Sequence, residues 1–82
     1  MMVPRERTVE GRHLSALVVD DEEGVRSVLK KIISRLGLEV TAAENGFQAI
    51  ELARKESFDL YFIDVRMPGL NGLETLRGIR RI

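Results

Sequence analysis

The chain has 82 residues, 44% of them hydrophobic and 32% charged, with thirteen basic and thirteen acidic side chains. Cancelled charge gives no reason to expect a nucleic-acid or membrane partner, and the lack of cysteine excludes disulfides, thiolate metal sites and cysteine nucleophiles. No apolar run approaches the roughly 20 residues that span a bilayer, and "MMVPRERTVEGRH" lacks the apolar segment of a secretory signal. The expectation is one small cytoplasmic domain whose core is only marginally sufficient.

Residues 1–13 are polar, contain Pro4 and Gly11 and show no period, so they are expected to form a flexible leader ahead of a domain over 14–82. "LSALVVD" is short, β-branched and nearly all apolar, which suits a strand buried on both faces. In "DEEGVRSVLKKIISRLG" the residues Val25, Val28, Leu29, Ile32, Ile33 and Leu36 recur at spacings of three and four, the stripe of an amphipathic helix. Acidic residues open that helix, basic ones close it, and Gly37 follows as its stop. "LEVTAAEN" reads as a second strand with Asn45-Gly46 as a turn. "GFQAIELARKES" is a shorter helix with Ala49, Ile50 and Ala53 on one face, and Phe47 is expected to pack at its start. "FDLYFID" is a third strand, with Tyr61 in the core. Beyond "MPG", where Pro68-Gly69 suits a type II turn, Leu73, Leu76 and Ile79 mark a last helix.

The pattern is βαβαβα, which implies a parallel sheet with right-handed crossovers and flanking helices. In such sheets ligands gather outside the carboxyl ends of the strands. Two acidic clusters lie there: Asp20 and Asp21 after the first strand, and Asp64 after the third. If those strands are neighbours, the three carboxylates share one crevice. Like charges at close range call for protonation or for a hard cation. An oxygen-only donor set favours Mg²⁺, which keeps waters and leaves room for a phosphate oxygen. A strand-end aspartate beside it is then a candidate phosphoryl acceptor. Taken singly, each aspartate also suits a turn, and Asp21 or Glu22 suits a cap on the first helix.

"LVVDDE" and "DLYFIDVRMPGLNGLE" together closely resemble the receiver domain of two-component response regulators, and the resemblance covers residues 14–82. It implies a flavodoxin-like sheet, of which this chain holds strands in the order 2-1-3. It further implies that Asp64 is the phospho-accepting aspartate, supplied by a histidine kinase, so that the chain is a signalling acceptor rather than an enzyme. Asp20 and Asp21 match the acidic pair that holds Mg²⁺ with Asp64, and Arg66 would add its backbone carbonyl. Met67-Pro68 and Gly72 match the loop after the acceptor.

The departures carry expectations too. The family's fourth strand, ending in Ser or Thr, and its fifth, ending in Lys, have no counterpart. Lys30, Lys31 and Lys55 fall on helices, and Thr41 in the second strand. The strand over 58–64 is therefore expected to be an open sheet edge that drives self-association, by edge pairing or by exchange of elements between chains. The alternative function is a receiver-derived fragment that no longer signals and acts as a self-associating or complementation module. A haloacid-dehalogenase-type phosphotransferase fits less well, because Asp20 and Asp21 are adjacent rather than two apart. His13 and the basic end "RGIRRI" are expected to carry no site.

Overall fold

The computed structural model describes residues 8, 9 and 11–82. It opens with a hairpin in which β1 (Thr8–Val9) pairs antiparallel with β2 (Arg12–His13), turning through Gly11 at φ 80°. The elements that follow are β3 (Ser15–Val19), α1 (Glu23–Arg35), β4 (Glu39–Ala43), α2 (Gly46–Lys55), β5 (Leu60–Ile63) and α3 (Gly72–Arg80). Within the flexible leader expected over 1–13, Thr8–Val9 and Arg12–His13 form strands, and residues 1–7 and 10 lie outside the described residues.

β3, β4 and β5 form one parallel sheet in the order β4-β3-β5, the expected 2-1-3 arrangement. The central strand explains its own composition. Alternate side chains of a strand point to opposite faces. Ala16 and Val18 meet Ile33, Leu29 and Val40 on the α1 face. Leu17 and Val19 meet Ala43, Ala49 and Met67 on the other. Both faces are covered, so Ala16 through Val19 are all buried and no polar alternation is possible.

α2 and α3 pack closely on that second face. A β-carbon on Gly46 would run into the Thr75 side chain, and one on Gly78 into Ile50. The helix stops and starts have local causes. Gly37 takes φ 92° after α1, the left-handed conformation a glycine stop supplies. Asn45, read from sequence as turn punctuation, is the N-cap of α2, its side chain accepting from Gln48 N. Asn71 and Glu74 form a reciprocal capping box on α3.

α1 buries less than its sequence stripe predicts. Ile33 is buried and Leu29 half-buried, whereas Val25, Val28, Ile32 and Leu36 are exposed. The helix packs over β3 and β4 and makes no comparable packing with β5, so only one edge of a broad stripe is covered. Phe47, expected to pack, is 62% exposed.

Candidate functional site

The register of the sheet builds the site. β3 and β5 pair in parallel with Val19 opposite Ile63, so the next residue of each strand, Asp20 and Asp64, emerges at the same end. The backbone N–H of Asp64 donates to Val19 O at 2.9 Å, and that of Asp20 to Ala43 O at 3.2 Å. One carboxylate oxygen from each of Asp20, Asp21 and Asp64 lies within 4.8 Å of the other two. Asp20 is buried, Asp64 half-buried and Asp21 exposed, which gives the cluster a closed floor and an open mouth.

Two of the three aspartates, Asp20 and Asp64, are held by their own turns. Asp20 Oδ1 accepts the amide of Glu22 at 2.9 Å, and Asp64 Oδ1 accepts that of Arg66 at 3.2 Å. Glu22 is the N-cap residue of α1 but makes no side-chain cap bond, so the cap offered by its carboxylate in the sequence is not formed. Behind the turn, Arg26 Nη1 donates to the backbone carbonyl of Asp20 at 2.9 Å.

The loop after β5 is fixed by burial and by a close approach. Met67 enters the core beneath α2, and Gly69 takes φ 76°, as the second central residue of a type II turn requires. Gly72 N donates to Val65 O at 3.1 Å. A β-carbon at Gly72 would collide with the Asp64 carbonyl oxygen and come within 2.8 Å of Val65 Cα. The start of α3 thus rests directly on the backbone that presents Asp64.

The donor set fits a hard divalent cation. All three donors are carboxylate oxygens, and Mg²⁺ takes one or two carboxylates and fills its octahedron with water and substrate oxygens. The exposed side of the cluster leaves space for those. A second feature lies at the far end of the sheet. Arg12 spans both oxygens of Asp59 at 2.8 Å each, and Ser15 N donates to the same carboxylate at 2.8 Å. Beside it an open depression of about 400 Å³ is lined by Arg12, His13, Glu39, Thr41, Glu56 and Phe58, away from the three aspartates.

The structure brings together Asp20, Asp21 and Asp64, as the crevice argument required, and places the Arg66 amide beside Asp64. Sequence reasoning missed Arg26. Its signal was a cation six residues beyond Asp20 and one turn into α1, where a long side chain can fold back onto the strand end. It also missed the Arg12–Asp59 pair, whose partners are 47 residues apart and carry no local signature.

A parallel sheet with a carboxylate cluster at the carboxyl ends of adjacent strands is an α/β fold with its ligand site where such folds carry one. The sequence model described as the response regulator receiver domain matches residues 16–82, and the chain belongs to that family. Sporulation initiation phosphotransferase F of Bacillus subtilis is 36% identical over 66 residues, covering 80% of this chain and 53% of the relative. Sensor histidine kinase GacS of Pseudomonas protegens is 33% identical over 76 residues, covering 93% of this chain and 8% of the relative. The response regulator TrrA of Thermotoga maritima, solved in complex with Mg²⁺–BeF, superposes with a TM-score of 0.79 at 40% identity, covering 83% of this chain and 59% of that one. The chain thus spans about half the length of the first of these relatives, 53%. Among the described residues no helix is long and apolar enough to cross a membrane.

Proposed function

We propose that residues 14–82 carry the acceptor part of a two-component receiver, in which Asp64 takes a phosphoryl group from a histidine kinase. The observation that carries this reading is the convergence of three carboxylate oxygens within 4.8 Å at the ends of β3 and β5. A carboxylate oxygen of Asp64 attacks phosphorus, the P–N bond of the donor phosphohistidine breaks, and the released imidazole nitrogen takes up a proton from solvent.

Asp20 and Asp21 are the residues that would hold Mg²⁺, with Asp64 and the backbone carbonyl of Arg66 completing the protein's share. The bound ion would neutralise charge on the transferred group. The protein's own contribution is placement: Arg66 N holds Asp64 Oδ1, and Glu22 N holds Asp20 Oδ1, so both carboxylates are oriented before any ligand arrives. Val25 and Val28 on the first turns of α1 are exposed and offer apolar surface to a partner.

The test is a titration with Mg²⁺ and then beryllofluoride, followed through backbone amide resonances. Saturable shifts centred on Asp20, Asp21, Asp64 and Arg66 support the reading. Shifts scattered over the surface, or none, refute it.

A second reading is favoured by β5. Its outer edge pairs with no strand among the described residues, and Leu60 and Phe62 on it are 43% and 40% exposed. Sheet edges are normally guarded by lysine, proline or a bulge, and "LYFI" contains none of these. On this reading the chain self-associates through 58–64 or by exchanging elements, with or without signalling. Light scattering at micromolar concentration tests it: a dimer supports self-association and a folded monomer excludes it.

A further inference from the structure

We infer that Arg26 is the positioning residue of the carboxylate site, an inference that rests on the Mg²⁺ reading above. Arg26 sits in the second turn of α1 and is half-buried. Its backbone N–H makes the first hydrogen bond of the helix, to Glu22 O at 2.9 Å. Its guanidinium folds back and donates from Nη1 to the Asp20 carbonyl at 2.9 Å. Among the described residues it forms no ion pair within 4.0 Å.

That combination separates two roles a cation beside three carboxylates can play. A neutralising arginine contacts carboxylate oxygens, whereas the guanidinium of this one, among the described residues, hydrogen-bonds only a backbone carbonyl. What it fixes is a residue already held at two other points: Asp20 N on Ala43 O, and Asp20 Oδ1 on Glu22 N. With the carbonyl taken by Arg26, every polar group of Asp20 except Oδ2 has a protein partner. The free oxygen of a residue 8% exposed is then directed by three anchors on β4, the turn and α1. Outer-shell partners of this kind set ligand orientation and are commonly worth a factor of ten or more in metal affinity.

The two roles differ in the sign of a mutational effect. If Arg26 acts only as a nearby positive charge, removing it relieves repulsion and Mg²⁺ binds more tightly. If it positions Asp20, removing it weakens binding although repulsion falls. The experiment is a Mg²⁺ titration of the full chain by amide resonances of Asp20, Asp21 and Asp64, for wild type, R26A, R26K and R26Q. Affinity is read from the folded resonances, so a loss of stability alone does not move it.

The expected result is a weakening of about tenfold in R26A, with R26Q, a neutral donor, and R26K, a charged single donor, both recovering most of it. R26Q and R26K decide the matter should R26A not fold: binding in both at or somewhat below the wild-type affinity supports positioning, and binding in R26Q clearly tighter than in wild type overturns it. Unchanged or tighter binding in R26A also overturns it. Absence of Mg²⁺ binding in the wild type fails the underlying reading instead.

Discussion

Asp64 is joined to the residue before Asp20 by a single backbone hydrogen bond, Asp64 N to Val19 O at 2.9 Å. Through it, two acidic segments 44 positions apart become one cluster. The same offset of 44 runs the length of the pair, from Ala16 opposite Leu60 to Val19 opposite Ile63. Any slip of β5 along β3 would separate the carboxylates, so the apolar ladder between them is part of the site.

Close carboxylates store repulsion until a cation arrives, and neutralising one should show it. At 4.8 Å two charges interact by about 1 kcal/mol in a water-like medium, the regime suited to exposed Asp21. D21N is therefore expected to raise the metal-free stability by up to about 1 kcal/mol at low salt while weakening Mg²⁺ binding. Urea melts with and without Mg²⁺ check this. A variant less stable in both conditions contradicts it.

Two helix-start glycines should respond in opposite directions to alanine. Nothing lies within 4 Å of a β-carbon built on Gly24, so G24A is expected to gain up to about 1 kcal/mol from backbone entropy. The same gain is available at Gly72, but there the methyl meets the backbone of Asp64 and Val65, which has no flexible end to yield. Overpacking of about 1–3 kcal/mol or more outweighs the propensity term. G72A should therefore destabilise, and should also shift the Asp64 amide resonance in the folded state. Equal denaturation midpoints for the two variants would refute the contact.

The Arg12–Asp59 pair gives a pH signature. Arg12 first, then the Ser15 amide, holds the Asp59 carboxyl well below the usual carboxylate range. A depressed folded-state pKa contributes stability that is present above the unfolded value, about 3.9, and lost as pH falls toward the folded one. The stability gap between wild type and R12A should thus be constant from about pH 5 upward and narrow below about pH 4. The Arg12 side chain is 57% exposed, so the gap should also shrink in high salt. Urea melts across pH test this, and a gap that widens on acidification would be the contrary result.

The legible and illegible parts of this chain divide by range. β3 could be read because each of its apolar residues is covered on its own face, and burial on both faces leaves an unbroken apolar run. The three aspartates could be read because βαβ alternation fixes which strand ends carry ligands. The α1 stripe was legible as a helix but not as a core: periodicity reports which residues share a face, not how much of that face a neighbour covers. Val28 and Ile32 share the stripe with Ile33 and remain exposed. Asn45 was read as a turn because Asn-Gly serves both turns and caps, and only the amide of Gln48 distinguishes them. Arg12 and Arg26 act through contacts decided by the assembled fold, which no local pattern announces.

The most direct test of the account is phosphoryl transfer to the intact chain from acetyl phosphate in the presence of Mg²⁺, followed by mass spectrometry. The expected result is a hydroxylamine-sensitive gain of one phosphoryl group that maps to Asp64, is lost on chelation of Mg²⁺ and is absent in D64N. No gain in a folded wild-type sample, or an equal gain in D64N, would contradict it.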